Sequence, residues 1–175
     1  EKNIATFKII RFGNVPYSNG SMLPLFEQQL KKNNQIQITD KHVTRYFISI
    51  SKVCELMLSL VTEDANELFI ASMGSQISVV KLATQFLKLK GLKPFEGVSI
   101  KFIGLRPGEK LTEELVYEKE IEVRNEIPNL LVYSMHEEPL NDELLKELIS
   151  LSPIESKKKV AELLKDLIPE FIGNI

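Results

Sequence analysis

The order of elements in this sequence predicts a mixed α/β fold, and three observations carry that expectation. Short β-rich runs such as Phe7-Lys8-Ile9-Ile10-Arg11-Phe12 alternate with segments whose apolar residues recur at helical spacing. Clusters of Gly, Pro, Asn and Ser punctuate the runs. No internal repeat and no low-complexity stretch interrupts them, and 175 residues suit a single domain.

The elements are read in chain order. Residues Ala5 to Phe12 form a strand by β-branched and aromatic content, ended by Gly13 and Asn14. Ser21 is placed to cap a helix running to about Lys32, with Pro24 tolerated in its first turn. Ile36–Thr39 and Arg45–Ile50 read as strands, and Ser51 as the cap of a helix from Lys52 to about Val61. In that helix Val53, Cys54, Leu56, Met57 and Leu60 are expected inside. Glu67–Ala71 is a strand. Ser78 opens a helix carrying Val79, Leu82, Ala83, Phe86 and Leu87 on one face and ending at Gly91. Val98–Ile103 is a strand, Leu111–Tyr117 a short helix, and Leu130–Ser134 a strand after Pro128. Two amphipathic helices, Asn141–Leu151 and Pro153–Leu167, close the chain before Pro169.

Composition excludes several classes of function. A net charge of −2 gives no basic footprint for nucleic acid. The Lys157-Lys158-Lys159 run sits between Glu155 and Glu162 and reads as a solvated helix face. His42 and His136 have no partner at metal-ligand spacing, so no metal site is expected. The single cysteine forms no internal disulfide, and a reducing, cytoplasmic setting is expected. No apolar run is long enough to span a bilayer. The chain opens on Glu1 and enters a strand almost at once, as expected of a segment that begins inside a larger polypeptide.

Recognisable catalytic machinery is absent from the sequence. None of the eight glycines falls in the close spacing that brings backbone amides to a dinucleotide pyrophosphate. None of the four tyrosines has a lysine four residues on: Tyr17, Tyr46, Tyr117 and Tyr133 are followed there by Ser21, Ile50, Ile121 and Glu137. What remains is a set of anion-binding candidates in loops. Arg106 stands in Arg106-Pro107-Gly108-Glu109, where proline and glycine make a stiff reversal and a guanidinium fork suits two phosphate oxygens. Glu109 has the chemistry to accept from the two hydroxyls of a ribose. Arg45 precedes an apolar strand beside aromatic residues. Asn14 and Ser21 bracket a loop entering a helix, which offers free amides to an anion. Taken singly, each has a plainer meaning: an ion pair in a turn, a structural arginine, a helix cap.

In order along the chain, however, these pieces resemble one family. They are Arg11-Phe12-Gly13-Asn14-Val15, Gly20-Ser21-Met22-Leu23-Pro24-Leu25-Phe26, Thr44-Arg45-Tyr46-Phe47 and Gly104-Leu105-Arg106-Pro107-Gly108-Glu109-Lys110-Leu111. Together they look like successive motifs of UDP-N-acetylglucosamine 4,6-dehydratases, the CapD-like polysaccharide biosynthesis proteins. The segment Glu67-Leu68-Phe69-Ile70 with Met73-Gly74 and Leu82-Ala83 fits the same pattern. The resemblance is strong over residues 5–117 and weak in the helical tail. Within that family the loop after Asn14 is usually small and Gly/Ser-rich, whereas Pro16 and Tyr17 stand here.

The resemblance implies an extended short-chain dehydrogenase/reductase using NAD(P), with the cofactor fold and a tyrosine–lysine pair in an N-terminal half. Such enzymes convert the sugar to a 4-keto-6-deoxy product. By resemblance Arg45 and Arg106 hold the UDP pyrophosphate, Glu109 takes the ribose hydroxyls, Asn14 contacts the sugar-side phosphate region, and Ser21 and Met22 line the uracil end. The expected fragment comprises the end of a Rossmann-type sheet (residues 1–20), a nucleotide-sugar-binding α/β domain (21–135) and a C-terminal helical appendage (136–175). The expected partners are a UDP-sugar, the N-terminal half of the same polypeptide and a second copy of the chain. The chain alone is expected to bind no cofactor and to be inactive, in a cytoplasmic protein whose parent carries membrane-anchoring helices farther toward its N-terminus. The competing readings are part of a nucleotide-sugar 4-epimerase or reductase, and a free-standing module that binds a nucleotide-sugar or a protein.

Overall fold

The computed structural model describes residues 7–63, 67–94, 96–118, 120–124, 127–134, 141–151 and 157–168. In chain order the elements are β1 (Ile9–Arg11), α1 (Met22–Asn33), β2 (Gln35–Ile38), β3 (Thr44–Arg45), α2 (Ile50–Ser59), β4 (Leu68–Ala71), β5 (Ile77–Ser78), α3 (Val79–Leu89), β6 (Ser99–Phe102), β7 (Glu122–Arg124), β8 (Leu130–Tyr133), α4 (Asp142–Ser150) and α5 (Lys157–Leu167). The architecture is mixed α/β, as the sequence predicts. Two compact units divide the chain. One runs through Leu105 and resumes at Lys110 to include β7 and β8; the other gathers the Arg106–Glu109 turn with α4 and α5.

Within the first unit a four-stranded sheet has the order β1-β4-β8-β7. β1 is parallel to β4, whereas β4–β8 and β8–β7 are antiparallel. Strand side chains alternate between faces, and register decides which ones meet. Phe69 and Ala71 of β4 lie opposite Val132 and Leu130 of β8, and with Leu56 of α2 and Leu60 just after it they form one core. Leu68, Ile70 and Tyr133 face the other way and pack with Leu115 and Leu131. All four residues of β4 are therefore buried. A second core sits where α1 and α3 cover the parallel pair β2–β6. Phe26, Ile36, Ile38, Ala83, Phe86 and Leu87 supply it, and the Phe26 and Phe86 rings stand 5.9 Å apart.

The start and stop signals of α3 behave as the sequence predicts: Ser78 accepts from the Lys81 amide, and Gly91 follows the end with φ +74°. Four readings are corrected. Of the expected strand Arg45–Ile50 only Arg45 lies in a strand, β3; an isolated bridge at Phe47 and loop follow, and α2 begins at Ile50 because Ser49 rather than Ser51 caps it by accepting from the Lys52 amide. No helix forms over Leu111–Tyr117; its backbone is spent on contacts to β3 and to Arg11 instead. Cys54 is exposed, and Met57 is 53% exposed, since both fall on a flank of α2 that the sheet does not cover. The two-residue β5 and the three-residue β7 were not anticipated, being too short to show a period.

In the second unit α4 and α5 pack together, with a Lys159–Glu147 ion pair at 3.5 Å. Asn141 caps α4 by accepting from the Glu143 and Leu144 amides. Pro153 and Pro169, expected to bound α5, lie outside the described residues. No helix among the described residues is long and apolar enough to cross a membrane.

Candidate functional site

Immediately after β1 the chain runs against the segment that follows β3. The Asn14 amide donates to the Tyr46 carbonyl at 2.7 Å, and the Ile48 amide donates to the Asn14 carbonyl at 3.0 Å. Asn14 and Phe47 thus form a parallel bridge. Such an approach requires Gly13, where a Cβ would lie 2.5 Å from Tyr46 Cβ. Asn14 is half-buried and stands at the carboxyl end of a parallel strand, beside the residues that follow Arg45.

The loop between β1 and α1 is closed by its own backbone. Ser18 donates to the Val15 carbonyl, the Ser21 amide to the Ser18 carbonyl, and the Ser21 hydroxyl to the Pro16 carbonyl at 2.6 Å. Ser21 therefore occupies the N-cap position with extended backbone but makes no side-chain cap. Its hydroxyl is taken by the loop that Pro16 stiffens. The first amides of α1, those of Met22 and Leu23, consequently carry no cap from Ser21. Met22 is half-buried against the α1–α3 core.

Arg45 is 7% exposed, a depth at which an arginine must be fully engaged. Its Nη1 donates to the Thr44 and Leu111 carbonyls at 2.7 and 3.1 Å, and its Nη2 to the Lys110 carbonyl at 2.9 Å. Its Nε lies 3.0 Å from Glu113 Oε1. Burial raises the Glu113 carboxyl above its ordinary range, with the charge of Arg45 and the Tyr46 amide offsetting part of that rise. The Thr44 hydroxyl donates to Gln76 Oε1 at 2.6 Å, and Gln76 Nε2 donates to the Glu113 carbonyl at 2.8 Å. Thr44, Arg45 and Gln76 together bind residues 110–113 to the β3–β5 ribbon. Gln76 and Glu113 were not singled out from the sequence, because an isolated amide and one of several glutamates carry no motif.

The turn at residues 106–109 is closed from both ends. The Glu109 amide donates to the Arg106 carbonyl at 3.0 Å, and the Glu109 carboxylate accepts from the Arg106 amide at 3.3 Å. Gly108 has φ +78°, which the reversal requires and a side chain would strain. Arg106 is exposed, and its guanidinium has no partner among the described residues. The chain entering the turn is fixed through the Gly104 amide to the Thr39 carbonyl; the chain leaving it is fixed by Arg45 at Lys110. An exposed planar cation suits a diphosphate, since its fork can make two parallel charge-assisted bonds to phosphate oxygens.

A third arginine, Arg11, which the sequence shows only as part of a motif, is structural. It makes two parallel bonds to Glu120, each 2.8 Å, another to the Leu115 carbonyl at 2.5 Å, and covers the Tyr117 ring at 4.8 Å. Among the described residues no cluster of His, Cys, Asp or Glu could hold a metal ion.

Comparison with known proteins places these features in context. The model of the family described as polysaccharide biosynthesis protein matches residues 1–135. The capsular polysaccharide biosynthesis protein CapD of Staphylococcus aureus is 39% identical over 117 residues, covering 66% of this chain and 19% of that protein. A UDP-glucose 4-epimerase of Rickettsia bellii is 33% identical over 137 residues, covering 77% and 38% respectively. The X-ray structure of Pen from Bacillus thuringiensis superposes with a TM-score of 0.62 at 32% identity, covering 74% of this chain and 39% of that one. The chain thus spans well under half the length of these relatives.

Proposed function

Because this chain belongs to the polysaccharide biosynthesis protein family, we propose that it is the UDP-sugar-binding portion of a nucleotide-sugar 4,6-dehydratase of the extended short-chain dehydrogenase/reductase type. The observation that carries the reading is the Arg106–Glu109 turn, whose exposed guanidinium has no partner among the described residues. In this reading Arg106 pairs with the diphosphate. Glu109 accepts from the ribose hydroxyls, Asn14 reaches the sugar-side phosphate, and the Ser21–Met22 loop borders the uracil. Arg45, with at least four donor contacts inside the chain, acts on the nucleotide by fixing Lys110 and Leu111 and by lending its charge.

Chemistry needs a further half. NAD(P), and the acid–base pair that would work with it, belong in this reading to a preceding part of the polypeptide, and the 175 residues alone turn over no nucleotide-sugar. The working protein is cytoplasmic, with any membrane anchor in that preceding part. Its product enters polysaccharide or glycan synthesis.

Titration of the chain with UDP by calorimetry tests the reading. Binding is expected, and Arg106→Ala is expected to weaken it about tenfold or more, the loss of one charge-assisted pair. Arg106→Lys should recover only part of it, because an ammonium cannot make two parallel bonds. No detectable UDP binding, or binding indifferent to Arg106, would sink the proposal. The match to a UDP-glucose 4-epimerase supports a second reading, in which the same UDP-holding groups serve C4 inversion. Product analysis with the chain joined to its cofactor half separates the two: a 4-keto-6-deoxy sugar in one case, a C4 epimer in the other.

A further inference from the structure

Glu113 stands where Arg45 and the backbone that holds Asn14 come together. Its Oε1 lies 3.0 Å from Arg45 Nε, and the Tyr46 amide faces the same carboxyl and favours its charged form. The Tyr46 carbonyl in turn accepts from the Asn14 amide at 2.7 Å, and the Asn14 carbonyl accepts from the Ile48 amide at 3.0 Å. One side chain therefore reaches the guanidinium of Arg45 directly and the backbone of Asn14 through a single residue. Gly13, which lets the chain after β1 come so close to Tyr46, keeps that second link short.

The backbone of Glu113 is held as well as its carboxyl. Its carbonyl accepts from Gln76 Nε2 at 2.8 Å, and Gln76 Oε1 accepts from the Thr44 hydroxyl at 2.6 Å. The two members of the ion pair differ in depth: the Arg45 side chain is 8% exposed and that of Glu113 33%, so the cation lies inside and the carboxyl stands where solvent can reach it. Among the described residues the charged groups beside Glu113 are Arg45, from β3, and Lys110 and Glu114 on its own segment, which pair with each other at 3.2 Å. Thr44 and Gln76 are neutral. In these surroundings burial raises the carboxyl above its ordinary range, and the Arg45 charge and the Tyr46 amide offset part of the rise.

A diphosphate that reaches Asn14 and draws on the charge of Arg45 meets this carboxylate. Two negative groups beside one guanidinium repel each other, the more so where water is partly excluded. A proton taken from solvent by Glu113 removes the repulsion without undoing the arrangement, because a carboxylic acid keeps an oxygen that can accept from Arg45 Nε or from the Tyr46 amide. We propose that Glu113 is a positioning residue of the nucleotide site, and that binding of a nucleoside diphosphate sugar places a proton on it. Ionised, it holds the arginine and opposes the anion; protonated, it still holds and no longer opposes. The inference rests on the reading that Asn14 and Arg45 serve the diphosphate, and it adds a control on that same site.

Bound diphosphate raises the Glu113 carboxyl further, so between its values in the free chain and in the complex the complex holds the extra proton. Affinity is then lowest at high pH. It climbs as pH falls through the value in the complex and levels off below the value in the free chain. Glu109 gives the opposite trend: as an acceptor for ribose hydroxyls it serves as a carboxylate, and its protonation on acidification weakens binding.

UDP-N-acetylglucosamine is the probe, because both its phosphates keep one charge each from about pH 5 to about pH 8, whereas the terminal phosphate of UDP titrates in that range. Calorimetric titration of the 175-residue chain is expected to show affinity falling as pH rises, by up to about tenfold per unit, with proton uptake seen as a heat that differs between phosphate and Tris buffers. Glu113→Gln keeps an acceptor and removes the charge. It is expected to bind independently of pH, without proton uptake, and at about pH 8 to bind at least about tenfold more tightly than the unaltered chain. Glu113→Ala removes the acceptor too and is expected to bind more weakly than Glu113→Gln at every pH; where the alanine form does not fold, the glutamine form and the buffer comparison decide. A flat profile in the unaltered chain, a slope that Glu113→Gln retains, or equal binding by the glutamine and alanine forms overturns the inference and leaves UDP-sugar binding in place. No binding at any pH removes the UDP-sugar reading and this inference with it.

Discussion

A methyl group on Gly13 would sit 2.5 Å from Tyr46 Cβ and 2.6 Å from the Tyr46 carbonyl oxygen, and the obstruction includes backbone that cannot swing away. Gly13→Ala is expected to cost about 2–3 kcal/mol in chemical denaturation, at the upper end of overpacking effects. At Glu120 the expectation concerns pH. Burial by itself would raise the carboxyl, but the hydrogen bond from Arg11, the Tyr117 amide and the Arg11 charge together hold it below its usual 4.5. A folded-state value below the unfolded one contributes stability that is complete above the unfolded value and lost as pH falls through the folded one. Glu120→Gln should therefore be less stable than wild type by about 1–2 kcal/mol at neutral pH. Urea titrations at decreasing pH should show the gap closing below about 4.5; a gap independent of pH would contradict the assignment. The bidentate Arg11–Glu120 pair was beyond sequence reasoning, since the two residues are more than a hundred positions apart.

Among the elements, α2 gives the sharpest test of local rules. Two serines, Ser49 and Ser51, compete for one cap, and the structure assigns it to Ser49. Ser49→Ala is expected to cost about 1 kcal/mol, and Ser51→Ala only a few tenths, as read from denaturation midpoints. The helices of the sequence reading are largely found in place because caps and 3.6-residue periods are local signals. The two-residue strands β3 and β5 are visible only through their partners. Helical spacing over Leu111–Tyr117 misled for the opposite reason: carbonyls at 110, 111 and 115 are claimed by Arg45 and Arg11, and a helix would withdraw them. Periodicity likewise showed that α2 is apolar on both Val53 and Met57, but not which flank has a sheet beneath it.

At the scale of the molecule, two cores stabilise the first unit, one around Phe26 and one around Phe69, both essentially fully buried. Phe26→Ala and Phe69→Ala are each expected to cost about 3–5 kcal/mol. Calorimetry should show a single transition lowered in both variants if the cores melt together, and two transitions if they do not. The mixed α/β class was legible from the alternation of periods. The order of strands in the sheet was not, because it depends on pairings between distant segments. The turn proposed to bind an anion was legible as Arg106-Pro107-Gly108-Glu109, whereas the bonds from Gly104 to Thr39 and from Arg45 to Lys110 were not, because they join distant parts of the chain.

Ile9 lies against Leu68, and Ile36 against Ile100, each pair separated by about sixty residues of chain. Neither parallel ladder can form until a long loop has closed, so most of the entropy of ordering is lost before either ladder contributes any bond. Refolding from denaturant should accordingly be slow, on the order of milliseconds to seconds, with helices α1 to α3 present before the strands pair. During that interval the apolar flanks of those helices are uncovered, which makes protein concentration during refolding the variable that governs yield.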